Sequence, residues 1–127
     1  YAAAASLSGF VDAGFRVTPL LPGFSPDSLG RVPPFMFHAY GDMTKIAGSH
    51  RDIIALFEKA KAAGTLPRLY QSCGTEDFLF QMNQRVNETL TEMGAKIDYW
   101  EVPGFEHEWD FWDLEIKNVL KWVLETE

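Results

Sequence analysis

The chain has 127 residues, 46% of them hydrophobic, a formal net charge of −7 and one cysteine. That much apolar content in a chain of one-domain size fills a core and excludes disorder, while the acidic balance, with no basic stretch to offset it, repels phosphate backbones and excludes nucleic acid as a partner. No apolar run nears the roughly 20 residues that cross a bilayer, no basic-then-apolar leader opens the sequence, and the lone Cys73 forms no internal disulfide, so a cytoplasmic protein without a membrane partner is expected.

The chain opens on "YAAAASLSGF", with no Met and no helix cap. Small residues followed by Leu7, Ser8 and Gly9 read as a buried strand that helices approach closely, of the kind found centrally in parallel sheets. The competing reading is the first turn of a helix. From 13 to 48 the sequence changes character: Pro19, Pro22, Pro26, Pro33 and Pro34 fall there together with Phe15, Phe24, Phe35, Phe37 and Tyr40. Proline at that density means loop and turns, and the aromatics argue for an ordered excursion over the active-site edge rather than a mobile linker.

Regularity then returns. Ile53, Leu56, Phe57, Ala60 and Ala63 mark a helix that Ser49 caps and Gly64 ends. "LPRLYQSC" reads as a strand stopping at Gly74. Leu79, Met82, Val86, Leu90 and Met93 follow at helical spacing, with Gly94 as C-terminal cap. "KIDYWEV" is a strand broken by Pro103 and Gly104, and Trp112, Ile116, Val119, Leu120 and Val123 line a last helix, with Asp110 as its N-cap and Trp112 and Trp122 in the core. Strands alternating with helices at this spacing make βαβ units. The fold class is α/β, with about three parallel strands and helices on both faces, in a single partial domain spanning 1–127.

In parallel sheets reactive groups collect at the carboxyl ends of the strands, where every strand-to-helix loop opens. Two loops qualify here, "CGTEDF" after the second strand and "GFEHEW" after the third. If those strands are neighbours, about 4.8 Å apart, an acid on the first loop reaches the histidine on the second, and Asp77 with His107 is the natural pair. A carboxylate on Nδ1 fixes the imidazole tautomer and leaves Nε2 to take a proton from a hydroxyl. Acid before histidine on successive strands is also the chain order of the α/β-hydrolase fold. Spacing does not separate Asp77 from its neighbour Glu76, nor a catalytic His107 from an imidazole at a helix start.

Two other chemistries compete. Cys73 is a possible thiolate nucleophile beside an imidazolium, set against a buried structural thiol. Glu106, His107, Glu108 and Asp110 are a possible metal set, but they lack the i, i+4 spacing that puts two ligands on one helix face. His38 and His50 stand apart from any second reactive group. Phe10, Phe24, Phe35, Phe37, Phe105 and Trp109 are candidates for the walls of an apolar acyl pocket, or for ordinary packing.

"CGTEDFLF" and "HEWDFWD", with "AAAASLSG" ahead of them, resemble the C-terminal portion of the esterase D-like carboxylesterases, which include tributyrin esterases, S-formylglutathione hydrolases and feruloyl-type esterases. The likeness covers nearly the whole chain and is loose from Phe15 to Gly48. It implies a Ser-Asp-His triad in which Asp77 is the acid and His107 the base, no cofactor and no metal, and a small-molecule ester as substrate. The family's G-x-S-x-G-G elbow is absent: none of Ser6, Ser8, Ser25, Ser28, Ser49 and Ser72 has the flanking glycines. The resemblance therefore implies a nucleophile upstream of Tyr1, with an N-terminal fragment or a second copy as partner. The alternative is a non-catalytic α/β module that binds through its open sheet edge and aromatic loop.

Overall fold

A computed structural model describes residues 2–20 and 38–125. Three parallel strands, β1 (Ala3–Leu7), β2 (Arg68–Gly74) and β3 (Ile97–Val102), lie in the order β1-β2-β3. Ala3 pairs with Arg68 and Leu7 with Ser72 on one side of β2, and Leu69 pairs with Ile97 and Gly74 with Val102 on the other. The expected α/β layering is present. The first strand, however, lies at an edge of the described sheet and is partly exposed, rather than being central.

Helix α1 (Ile53–Ala62) and helix α2 (Phe80–Glu92) cover one face, and α3 (Trp109–Leu124) covers the other. On the first face Ile54 and Phe57 of α1 meet Val86 and Leu90 of α2 and Ala95, with Leu69 and Ile97 of the sheet packed against them. The helix expected to run from Leu79 to Met93 buries Leu79, Met82, Val86 and Leu90 as its spacing predicts. It also buries Asn83, whose amide donates to the carbonyls of Gly9 and Leu79 and whose side-chain oxygen accepts from Gln71.

Three details differ from the sequence reading. Asp52, not Ser49, caps α1: its carboxylate accepts from the N–H groups of Ile54 and Ala55, while Ser49 Oγ accepts from Arg51 N–H one turn earlier. The packed side of α1 is correspondingly rotated, with Ile54 and Phe57 buried and Ile53 and Leu56 exposed. The core side of α3 is rotated too, to Phe111, Glu115 and Val119. Glu115 replaces an apolar residue there because Tyr70 and Asn118 donate to its two carboxylate oxygens, at 2.8 and 2.7 Å, so a buried polar group is satisfied. Ile116, Leu120 and Val123 are left exposed. Trp122 is half-buried, with its indole N–H on Asp98 and the Arg68 guanidinium 4.1 Å above its ring.

Of the excursion at 13–48, the described parts are held at both ends. The buried Asp12 carboxylate accepts from the N–H groups of Arg16, Val17 and Thr18 and from the Thr18 hydroxyl. Ala13, Met43 and Ile46 form a small second core against Phe10, Phe15 and Tyr40. Phe24, Phe35 and Phe37 lie outside the described residues, as do Pro22, Pro26, Pro33 and Pro34.

Candidate active site

Strand β2 ends at Gly74 and β3 at Val102, one residue opposite the other, so the loops that follow leave the same edge side by side. They are joined by main-chain bonds. Thr75 N–H donates to Val102 O and Glu76 N–H to Phe105 O, both at 3.0 Å, and Gly104 N–H donates to Thr75 Oγ1. Gly74 permits this approach: a Cβ at that position would overlap the carbonyl of Phe105. Gly104 turns the second loop with a φ of +79°, a conformation that glycine adopts without strain.

These bonds set two side chains against each other. Asp77 is buried, and one carboxylate oxygen accepts from Leu79 N–H at 2.8 Å, at the entry to α2. The other lies 2.9 Å from His107 Nδ1. A carboxylate only accepts, so Nδ1 carries the proton and donates, and Nε2 is left with its lone pair. The imidazole is 34% exposed while the Asp77 side chain is fully enclosed, so the carboxylate anchors a ring that stays partly open. Phe78 stands 5.0 Å from the imidazole, centroid to centroid, and Trp112 stands edge-to-face at 4.9 Å, itself backed edge-to-face by Trp109 at 5.1 Å.

Geometry also separates the other candidates. Glu76 is exposed, and its closest side-chain partner is the neighbouring Thr75 hydroxyl, so of the two adjacent acids only Asp77 meets the histidine. Cys73 is fully buried on β2. Its Sγ accepts from the Ser8 hydroxyl, and burial pushes its thiol up to about 11, the wrong direction for a nucleophile at neutral pH. Glu108, not Asp110, stands at the N-cap of α3, and it turns its carboxylate back to Glu106 N–H; Asp110 lies in the first turn. Among the described residues no three His, Cys, Asp or Glu side chains converge as metal ligands. His38 and His50 are both exposed and lie on the segment that precedes α1. Phe105 packs on Phe111 at 6.0 Å, and Phe10 packs on Phe15 and Tyr40. Trp109 is 79% exposed beside the imidazole pair.

No protein-family model matches the chain. It is 39% identical over 85 residues to an acetyl esterase of Caldicellulosiruptor saccharolyticus, a match covering 66% of this chain and 32% of that protein. Two solved structures from Staphylococcus aureus share its fold. S-formylglutathione hydrolase FrmB matches at TM-score 0.72 and 26% identity over 96% of this chain and 44% of that one. The fluorophosphonate-binding serine hydrolase FphF matches at 0.73 and 25% over 99% and 46%. The chain thus spans about a third of the esterase and under half of each hydrolase. With its parallel sheet, its acid and histidine on adjoining loops and these likenesses, the chain has the architecture of the α/β-hydrolase fold and is similar to its esterase D-like members.

Proposed function

We propose that the whole protein is a serine carboxylesterase of small acyl esters, in which His107 is the base, Asp77 orients it, and the nucleophilic hydroxyl comes from outside these 127 residues. One observation carries this: the 2.9 Å bond from His107 Nδ1 to an enclosed carboxylate, on the edge of the sheet where strand-to-helix loops open. The names of the similar proteins, an acetyl esterase and two hydrolases, agree with it.

The chemistry is acyl transfer in two halves. The serine oxygen attacks the ester carbonyl as Nε2 takes its proton, and Asp77 stabilises the imidazolium that forms. Collapse of the tetrahedral adduct breaks the bond to the alcohol, which leaves with the proton from Nε2. Water then repeats the sequence on the acyl-enzyme, releasing the carboxylic acid and restoring the serine. No cofactor enters these steps.

Replacing His107 by Ala in the whole protein is expected to reduce p-nitrophenyl butyrate turnover by at least about 10³-fold with circular dichroism unchanged. A folded variant that retains turnover would end the proposal.

A further inference from the structure

A single hydrogen bond fixes where Nδ1 sits but only loosely which way the ring faces. His107 lies on a loop, directly ahead of the N-cap residue Glu108, and among the described residues Asp77 is its one hydrogen-bond partner. Loop positions are the mobile ones, and displacing a reacting group by about 1 Å costs on the order of 10²-fold in rate. The remaining freedom of the imidazole is restricted by two rings. Phe78 approaches at 5.0 Å with its plane inclined 57°, and Trp112 at 4.9 Å with its plane at 90°. They come from different elements: Phe78 from the loop that carries Asp77, and Trp112 from the first turn of α3.

Phe78 packs in neither core of the described residues. Phe78 is 64% exposed, although it is a large apolar side chain next to the enclosed Asp77. Trp112 is half-buried and is held from behind by the exposed Trp109. What these two side chains share is contact with the same imidazole. Aromatic faces also attract a cation, and the imidazolium is the form that the proposed reaction creates.

We propose that Phe78 and Trp112 are positioning residues for His107, an aromatic clamp of two rings from different elements that holds the imidazole plane while Asp77 holds Nδ1. This rests on the reading of His107 as the base. The clamp acts through His107 and needs no contact with the ester.

The test uses the whole protein, p-nitrophenyl butyrate, and the variants Phe78→Leu, Trp112→Leu and Trp112→Phe beside His107→Ala. Each leucine variant is expected to lower kcat about 10- to 100-fold with KM within about twofold, the split expected when an interaction acts in the transition state alone. The phenylalanine variant should recover to within about threefold of wild type, because it keeps a ring at the site. The downfield proton resonance of Nδ1–H, sharp in the wild type, should broaden in both leucine variants. If Trp112→Leu does not fold, the decision falls to Phe78→Leu, whose side chain is 64% exposed and packs in neither core of the described residues. Wild-type kcat in the leucine variants with an inactive His107→Ala would overturn the clamp and leave the base in place. Loss confined to KM would assign the rings to substrate contact and overturn it equally. An active His107→Ala would instead overturn the reading of the base.

Discussion

Asp77 and Glu76 are adjacent acids in opposite surroundings. Glu76 gives its backbone N–H to Phe105 and leaves its carboxylate in solvent, whereas Asp77 is enclosed with one oxygen on Leu79 N–H and the other on His107. The two substitutions Glu76→Gln and Asp77→Asn therefore separate local charge from orientation. Asp77→Asn is expected to lower kcat by roughly 10⁴-fold, since an amide no longer enforces the tautomer, while Glu76→Gln stays within about twofold; steady-state kinetics on the whole protein reads both. The meeting of Asp77 and His107 was legible because acid and histidine follow successive strands. The choice between the two acids came from family likeness, not from spacing. The proposed aromatic clamp was not legible: Phe78 lies in the loop after β2, Trp112 at a helical position read as core, and only coordinates show both against one imidazole.

Among the elements, α1 carries the clearest stability argument. Asp52 caps the helix through Ile54 and Ala55 N–H, accepts from Gly48 N–H at 2.7 Å, and pairs with Arg16 at 2.9 Å, tying the helix to the segment after β1. Burial alone would raise its carboxyl, but the N–H groups of Gly48 and Ala55 and the Arg16 guanidinium outweigh that and hold it below the usual carboxylate range. A depressed folded value means stability that is complete above the unfolded value, about 3.9, and is lost as pH falls through the folded one. Asp52→Ala should cost about 1–2 kcal/mol at neutral pH, and the difference from wild type should shrink in acid; chemical denaturation at pH 7 and at about pH 3 measures it. The three strands, the three longer helices and their order were readable from periodicity and glycine stops, whereas the short 3-10 helix Met43–Lys45 lay within the stretch read as loop. The faces of α1 and α3 were not, because Asp52 starts its helix three residues after the expected cap and Glu115 occupies an inward position by bonding Tyr70, a partner 45 residues away in sequence.

For the whole molecule, the described sheet ends at β1, where pairing was expected on both sides. Across α3 a row of apolar side chains, Ile116, Leu120, Val123 and Leu124, is exposed. Among the described residues an open edge and an apolar face suit the addition of further structure, as the proposed supply of a hydroxyl from elsewhere in the protein requires. A fluorophosphonate reagent, followed by peptide mass spectrometry of the whole protein, is expected to label a serine outside these 127 residues and to leave Ser6, Ser8, Ser49 and Ser72 unmodified. A label on any residue inside them would move the nucleophile into this chain. The junction at Gly74 has a further consequence. Because two of the bonds between these loops run from amide to carbonyl, their close approach is set largely by the main chain, and the exposed side chains at 76 and 106 can change without parting them. The rim of the sheet can then be remodelled at those positions while Asp77 and His107 stay within reach of each other, provided that position 74 keeps no side chain.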